Sequence, residues 1–452
     1  MKKKAISLKE GSVPSLIIRL AIPNTLGLLV ISAYSLADSF FLASLGATAT
    51  AAVGVTFSLH VLMQAVGYTL GMGAGALLSR ALGHENDVES ASRFASVAFF
   101  LSLSIGILIA VTGFFAKVPI LRFLGADGDV LTAAKAYVTP LFLSAPFMCA
   151  SFVLSQLLRA EGRAVYAMVG LMTGSLLNIA LDPLLISVFR FGIAGASTAT
   201  LISQGVGLFV LLSAYVGKRK TVDVLKIKLS YFAFTGKILL AGLPSLLRQG
   251  LSGGSSVLLN RAAAEIGGGA LSAISLVTRL FLLVFAFCLG LGQAMIPIVG
   301  YSLGADDPAR MKKAYFFSTA AASLVMLFFS VPLFFFATPI LKIFGAATEA
   351  LPLGTLALRA QAVALALHGT ITCTILFLQV TGRPFAGSLL ASARQGLFFL
   401  PLIFLLPARL GGTGLALTQP LADALTFLLA LPFMILSLRS LTKKASATRN
   451  FA

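Results

Sequence analysis

The chain has 452 residues, of which 58% are hydrophobic and only 11% charged, with a mean hydropathy of +0.98, far above the roughly 45–50% apolar content of soluble domains. That balance excludes a soluble domain, and the apolar blocks, about 20 residues or longer, exclude the roughly 10-residue alternating strands of an outer-membrane barrel. A net charge of +19 raises the question of nucleic acid, which the placement of the charges answers below.

Because lipid cannot satisfy an open backbone, the apolar blocks are expected to be helices. Twelve spans are predicted, at about 15–45, 50–79, 91–116, 131–158, 164–188, 193–216, 236–262, 269–302, 312–336, 351–378, 385–407 and 413–438. The basic start "MKKKAISLKEG" leads into a full-length span without a small-residue cleavage site, so the first span is expected to be retained. It contains Pro23, Tyr34 and Asp38. A carboxylate near the centre of a span costs about 2.5–3.5 kcal/mol on insertion scales, so a lipid-facing position is improbable. The fifth span, "GSLLNIALDPLL", repeats the pattern with Asn178 and Asp182 four apart, on one helical face as Tyr34 and Asp38 are. The sixth adds Thr198, Thr200, Ser203 and Gln204 in "GASTATLISQ".

A basic stretch from Gly217 to Lys237 divides the spans six and six and reads as a cytoplasmic linker. Beyond it the chain repeats itself at a shift of about 220 residues. Pro23 falls on Pro244, Gly71 on Gly292, "LGHEND" on "LGADDP", "PILRFLGA" on "PILKIFGA", Gly162 on Gly382 and Gly195 on Gly414. An even number of helices per copy gives both copies one orientation, so the expected fold is all-α: two six-helix lobes related by a pseudo-twofold axis along the membrane normal. The expected divisions are a cytoplasmic N-terminus at 1–14, lobes at 15–216 and 236–438, a linker at 217–235 and a cytoplasmic tail at 439–452. The expected binding region is the cleft between lobes. Of the 34 Lys and Arg, 23 fall on the side that holds both termini and seven on the other. The bias places both termini in the cytoplasm of a cell membrane and accounts for the charge without nucleic acid.

The copies differ in their acids. Asp38 aligns with Leu259, Asn178 with Phe398 and Asp182 with Leu402. No Lys or Arg lies in the middle of the first six spans, so the two acids must be protonated, bind a metal cation, meet a cationic substrate, or reach Arg248 or Arg394 of the second half. In that half Arg248, Arg394 and Asp423 are intramembrane, and an internal charge network around Asp423 is expected, with a cavity role as its alternative. Cys149, Cys288 and Cys373 sit in apolar helices without metal-ligand spacing and are expected to be packing residues. His60 and His368 are expected to be structural or cavity-lining. No His, Cys or Ser arrangement with a plausible base points to an enzyme.

With these residues in view, the chain resembles the multidrug and toxic compound extrusion (MATE) family, nearest its prokaryotic DNA-damage-inducible branch. The resemblance rests on "LAIPN", "YSLADSFFLASLG", "ALGHEND", "AEGR", "NIALDP", "GIAGASTAT" and "GLPSLLRQ" and covers nearly the whole chain. It implies a twelve-helix antiporter that expels cationic, amphipathic small molecules in exchange for H⁺ or Na⁺, with no cofactor and with membrane lipid as its surroundings. It also implies a cation site, for Na⁺ if that is the coupling ion, from Asp38, Asn178, Asp182 and Thr200, with Tyr34 beside it and Pro23 as a helix bend. Thr198, Gln204, Arg248 and Arg394 are the further substrate-lining candidates. The alternative reading is a flippase or metabolite exporter in which Arg248 and Arg394 hold an anionic group. The acidic pair that some branches carry in the second lobe is missing here, since span 7 has Arg248 and Gln249 and span 10 no acid.

Overall fold

The computed structural model describes residues 8, 11–43, 45–216 and 220–449. The basic N-terminal lysines and Lys218 with Arg219 of the linker lie outside them. Among the described residues there is no strand. Fourteen α-helices follow in order: α1 Val13–Ala43, α2 Ala47–Gly83, α3 Val88–Phe123, α4 Gly128–Ala160, α5 Ala164–Pro183, α6 Ile193–Ser213, α7 Thr235–Ile266, α8 Gly268–Gly304, α9 Pro308–Phe335, α10 Ala337–Ile343, α11 Leu351–Leu365, α12 His368–Val380, α13 Pro384–Ser392 and α14 Phe399–Arg449.

Among the described residues ten helical stretches are long and apolar enough to cross a membrane. An eleventh span is the pair α11 and α12, bent by 51° at the break between Leu365 and His368. The stretch from Pro384 to Arg439 is itself two helices, because Gly411 takes a non-helical φ of 54° inside α14. With that division the described residues hold twelve spans. The break in span 10, the short α10 and two five-residue π-helical turns, Leu184–Val188 and Ala393–Leu397, are additions to the pattern read from the sequence.

The described residues divide into two compact units, one lying within 26–242 and the other made of those up to 25 together with 243–449. The divisions fall inside α1 and α7, each just after a helix-interior proline or just before one, Pro23 and Pro244.

In the first unit α4 is the central helix, buried along most of its length and packed on α2, α3, α5 and α6. The turn from α4 to α5 is buried. Gly162 takes a φ of +77° there, which lets the chain turn from α4 into α5 within three residues. Arg163 Nη1 lies 3.3 Å from Glu161 Oε2, and Nη2 donates to Ala214 O at 2.9 Å. The linker is fastened down by the same unit: Ser96 Oγ donates to Asp223 O (2.8 Å), Asp223 N donates to Ser92 Oγ (3.0 Å), and Val222 and Val224 are buried. The twin loops of the repeat fold alike. Asp87 caps α3 by accepting from Ser90 N, and Asp307 caps α9 by accepting from Arg310 N, both at 2.9 Å.

In the second unit α8, α9, α11, α12 and α14 pack together, with a core that includes Ile371, Ile375, Leu390 and Ala430. Cys149, Cys288 and Cys373 are buried free thiols, in keeping with a packing role.

Candidate functional site

Asp182 is the last residue but one of α5, followed by Pro183, where the helix loosens into the π-helical turn Leu184–Val188. A proline cannot supply the next helical N–H, and π turns concentrate at sites where side chains must be re-aimed. The chain returns through Gly192 into α6, and Gly195 there packs so tightly on Leu185 that an added Cβ would lie 2.8 Å from its backbone. This close approach brings Thr200 of α6 beside Asn178 of α5. With the Asn178 amide turned so that both its ends are paired, Nδ2 donates to Asp182 Oδ2 at 3.0 Å and Oδ1 accepts from Thr200 N at 3.1 Å. Asp182 is 0% exposed, Asn178 2% and Thr200 3%.

Tyr34 of α1 hydrogen-bonds Thr200, and Asp38, one turn further along α1, is near enough for its charge to act on Asp182. Tyr137 of α4 lies within electrostatic range of Tyr34, Asp38 and Asp182, a neighbour the sequence reading missed because its partners are about 40 to 100 residues away in the chain. Among the described residues neither Asp38 nor Asp182 has a basic partner, and each keeps one buried carboxylate oxygen, Oδ1, without a hydrogen bond. Among the described residues no three His, Cys, Asp or Glu converge, so a cation here would meet a mixed set of carboxylate, amide and hydroxyl oxygens. Hard oxygen donors of that kind suit H⁺ or Na⁺.

Tyr34, Asn178, Thr200 and Gln204 share one cavity of about 530 Å³, its open mouth included, which continues past Ser203 to Gly170 and Leu211. Thr198 does not line it; its hydroxyl bonds back to Ala194 O at 2.7 Å. Pro23 lies outside this group as well, eleven residues before Tyr34 on α1.

The second unit holds a contrasting cluster. Asp423 of α14 accepts on Oδ1 from Arg394 Nε (2.7 Å) and Gln419 Nε2 (2.9 Å). On Oδ2 it accepts from Gln361 Nε2 (2.9 Å) and from His368 Nε2 (3.0 Å). A carboxylate has about four acceptor positions, and all four are used. The π-helical turn Ala393–Leu397 carries Arg394 to this point, where its guanidinium also lies 4.9 Å from the Phe281 ring centre. The expected internal network is therefore present, with Arg394 as its cation. Gln361, Gln419 and His368 are the partners that sequence reasoning did not name. Arg248 takes no part in the bonds to Asp423 described above.

A twelve-span, two-unit helical fold with an unpaired intramembrane acid pair in one unit defines a polytopic membrane protein of transporter architecture. The MatE family model matches residues 23–184 and again 244–405, two copies that each begin at one of the twin prolines, and the chain belongs to that family. The multidrug export protein MepA of Staphylococcus saprophyticus is 27% identical over 430 residues, covering 94% of each chain, and that of Staphylococcus haemolyticus is 26% identical over 436 residues, covering 96% of this chain and 95% of its own. Among solved structures, an outward-facing multidrug resistance MATE transporter of the MOP superfamily superposes with a TM-score of 0.90 at 26% identity, covering 98% of this chain and all of its own. A MOP superfamily transporter from Pyrococcus furiosus, described as having a binding pocket of reversed polarity, superposes at 0.89 with 25% identity, covering 98% of this chain and 99% of its own.

Proposed function

We propose that the protein exports small, cationic amphipathic molecules across the cell membrane by alternating access, in exchange for H⁺ or Na⁺ bound at Asp38, Asn178, Asp182 and Thr200. The observation that carries this reading is the acid pair, Asp182 buried and Asp38 half-buried, with no basic partner among the described residues and each with one buried oxygen free of hydrogen bonds. Two such acids repel one another when both are ionised, so a proton or Na⁺ on one of them relieves the repulsion, and a cationic drug nearby competes for the same charge. The kinship with multidrug export proteins supports the substrate class, and the family's architecture supports transport rather than catalysis. Arg394 is already committed to Asp423, which removes it as a free anchor for an anionic substrate and disfavours the flippase alternative.

The test is efflux of a fluorescent organic cation from proteoliposomes under an imposed pH gradient or Na⁺ gradient, each alone. At least one gradient should drive efflux in the wild type, and Asp38→Asn and Asp182→Asn should each abolish the gradient-driven part while inserting normally. Efflux that ignores both gradients, or normal pumping by the two variants, defeats the proposal.

A further inference from the structure

Asn178 and Thr200 line the cavity, Asp38 and Asp182 do not, and the cavity continues past the two ligands that do. From Asn178 it runs down α5 past Gly174 to Gly170, and from Thr200 it runs down α6 past Ser203 and Gly207 to Leu211. At 1.5 Å per residue these are paths of roughly 12 and 16 Å. They point to the end of the unit where α5 begins, α6 finishes and the linker is fastened, and Leu211 is two residues from the last residue of α6. The wall is mostly apolar, with Ile31, Phe152 and Leu171, and carries no Asp, Glu, Lys or Arg; the polar groups set into it besides Asn178 and Thr200 include Ser203, Gln204, Ser175, Ser151 and Gln64.

Two of these hydroxyls are informative. In apolar helices a serine usually returns its hydrogen bond to a carbonyl one turn back, as Ser155 does to Phe152 O (2.8 Å) and Ser144 does to Leu141 O (2.7 Å) on the same helix as Ser151. Ser151 and Ser203 do not, although each is 2% exposed, and both face the cavity. A buried hydroxyl without a partner costs free energy unless something polar enters beside it. A cavity with space for water beside such hydroxyls is where water does so.

At the foot of the cavity Leu211 is the last lining residue along α6. Leu211 packs over Gly170 so closely that any Cβ at that position would overlap it. Three residues further on, Ala214 O is gripped by the buried Arg163, which holds the end of α6 and so holds Leu211 in place.

We propose that this cavity is a hydrated passage by which the coupling ion travels between the Asp38–Asp182 pair and the linker end of the first unit, with Leu211 as its closure; the proposal rests on the ion-coupled reading above. Neutral polar side chains set into an otherwise apolar wall suit the task, because they solvate an ion without trapping it. The carboxylates bind, the hydroxyls and amides pass the ion along, and the leucine prevents a leak while the acids are loaded.

Three measurements in proteoliposomes test it. Leu211→Ala should let H⁺ or Na⁺ run down its gradient several-fold faster than wild type in the absence of any drug, read with an ion-sensitive dye inside the vesicles. Ser203→Val should slow gradient-driven efflux several-fold while leaving the equilibrium drug affinity and its ion dependence as in wild type, and Ser203→Thr should restore most of the rate. Ser203→Cys should react with a small, membrane-impermeant thiol reagent applied from the linker side, faster when Leu211→Ala is added. Should Ser203→Val fail to fold, the leak and the thiol reactivity decide. A tight Leu211→Ala together with an unreactive Ser203→Cys overturns the passage, as does full-rate pumping by Ser203→Val. If the wild type pumps under a gradient and these results are negative, only the passage falls; if the wild type ignores both gradients, the ion-coupled reading falls and takes the passage with it.

Discussion

Asn178 is where the cation site is most finely balanced, because one amide holds Asp182 with its nitrogen and the backbone of α6 with its oxygen. Asn178→Ala removes a hydrogen bond to a buried charged group, worth about 1.5–3 kcal/mol, and frees Thr200 N. Drug affinity measured against pH or Na⁺ should then lose most of its ion dependence, by roughly tenfold or more, with insertion preserved. Outside the spans, Glu161 offers a different kind of test. It is buried in the α4–α5 turn, and burial raises its pKa above the ordinary carboxylate value, with Arg163 opposing the effect only in part. A carboxyl whose pKa is raised on folding keeps its proton longer in the folded state than in the unfolded one. Stability is therefore lost as pH rises from the ordinary carboxylate pKa through the folded value. Thermal unfolding in detergent should show that fall in the wild type, and Glu161→Gln, which cannot ionise, should flatten it. An unchanged slope would mean that Glu161 ionises as freely folded as unfolded.

At the scale of elements, the prolines and glycines that revealed the repeat in the sequence are also the residues that shape the helices. Pro23 and Pro244 lie beside the divisions between units inside α1 and α7, and Gly195 and Gly414 both sit where α6 and the second half of α14 meet the preceding helix without room for a Cβ. Such residues are legible because their backbone chemistry is local. The break before His368 and the two π turns were not legible, since Pro183 before "LLISV" and Gly396 within "ARQGL" mark a weak point in a helix without specifying a π turn. Arg394 with Asp423 could be anticipated from charge alone, whereas Gln361 and Gln419 could not, because a glutamine in an apolar helix has many possible partners. Two predictions belong to this scale. Pro23 removes a backbone hydrogen bond within α1 and eases bending there, so Pro23→Ala should lower the transport rate more than it lowers the unfolding temperature; a normal rate removes the bend from the cycle. Asp87→Ala and Asp307→Ala each delete a helix cap and should each cost about 1 kcal/mol of stability without changing the ion dependence of drug affinity. Unequal losses would show that the twin caps are not equivalent.

For the whole molecule the central fact is that one scaffold, used twice, treats its acids in opposite ways. Asp38 and Asp182 keep unpaired oxygens, while Asp423 has every acceptor position filled and an arginine beside it. An open, unbalanced charge is unstable until an ion or substrate arrives, which is useful for transport. A saturated and balanced one is stable from the start, which is useful for structure. Substitution should therefore separate the two halves by phenotype. Asp38→Asn and Asp182→Asn remove like-charge repulsion, so they should hold or raise the unfolding temperature while abolishing gradient-driven efflux. Asp423→Asn leaves the Arg394 guanidinium in the interior without its counter-charge, and breaking a buried pair from one side costs about 3–5 kcal/mol, a large part of the usual 5–15 kcal/mol of net stability. That variant should express poorly and unfold well below the wild type, yet the fraction that inserts should still show reciprocal weakening of drug and ion binding, as linkage requires of any pair that competes. Paired measurements of unfolding temperature and of drug affinity with and without the coupling ion decide the matter. An Asp423→Asn protein that is stable but has lost the reciprocity would place the coupling in the second unit and return the first unit's acids to a structural role.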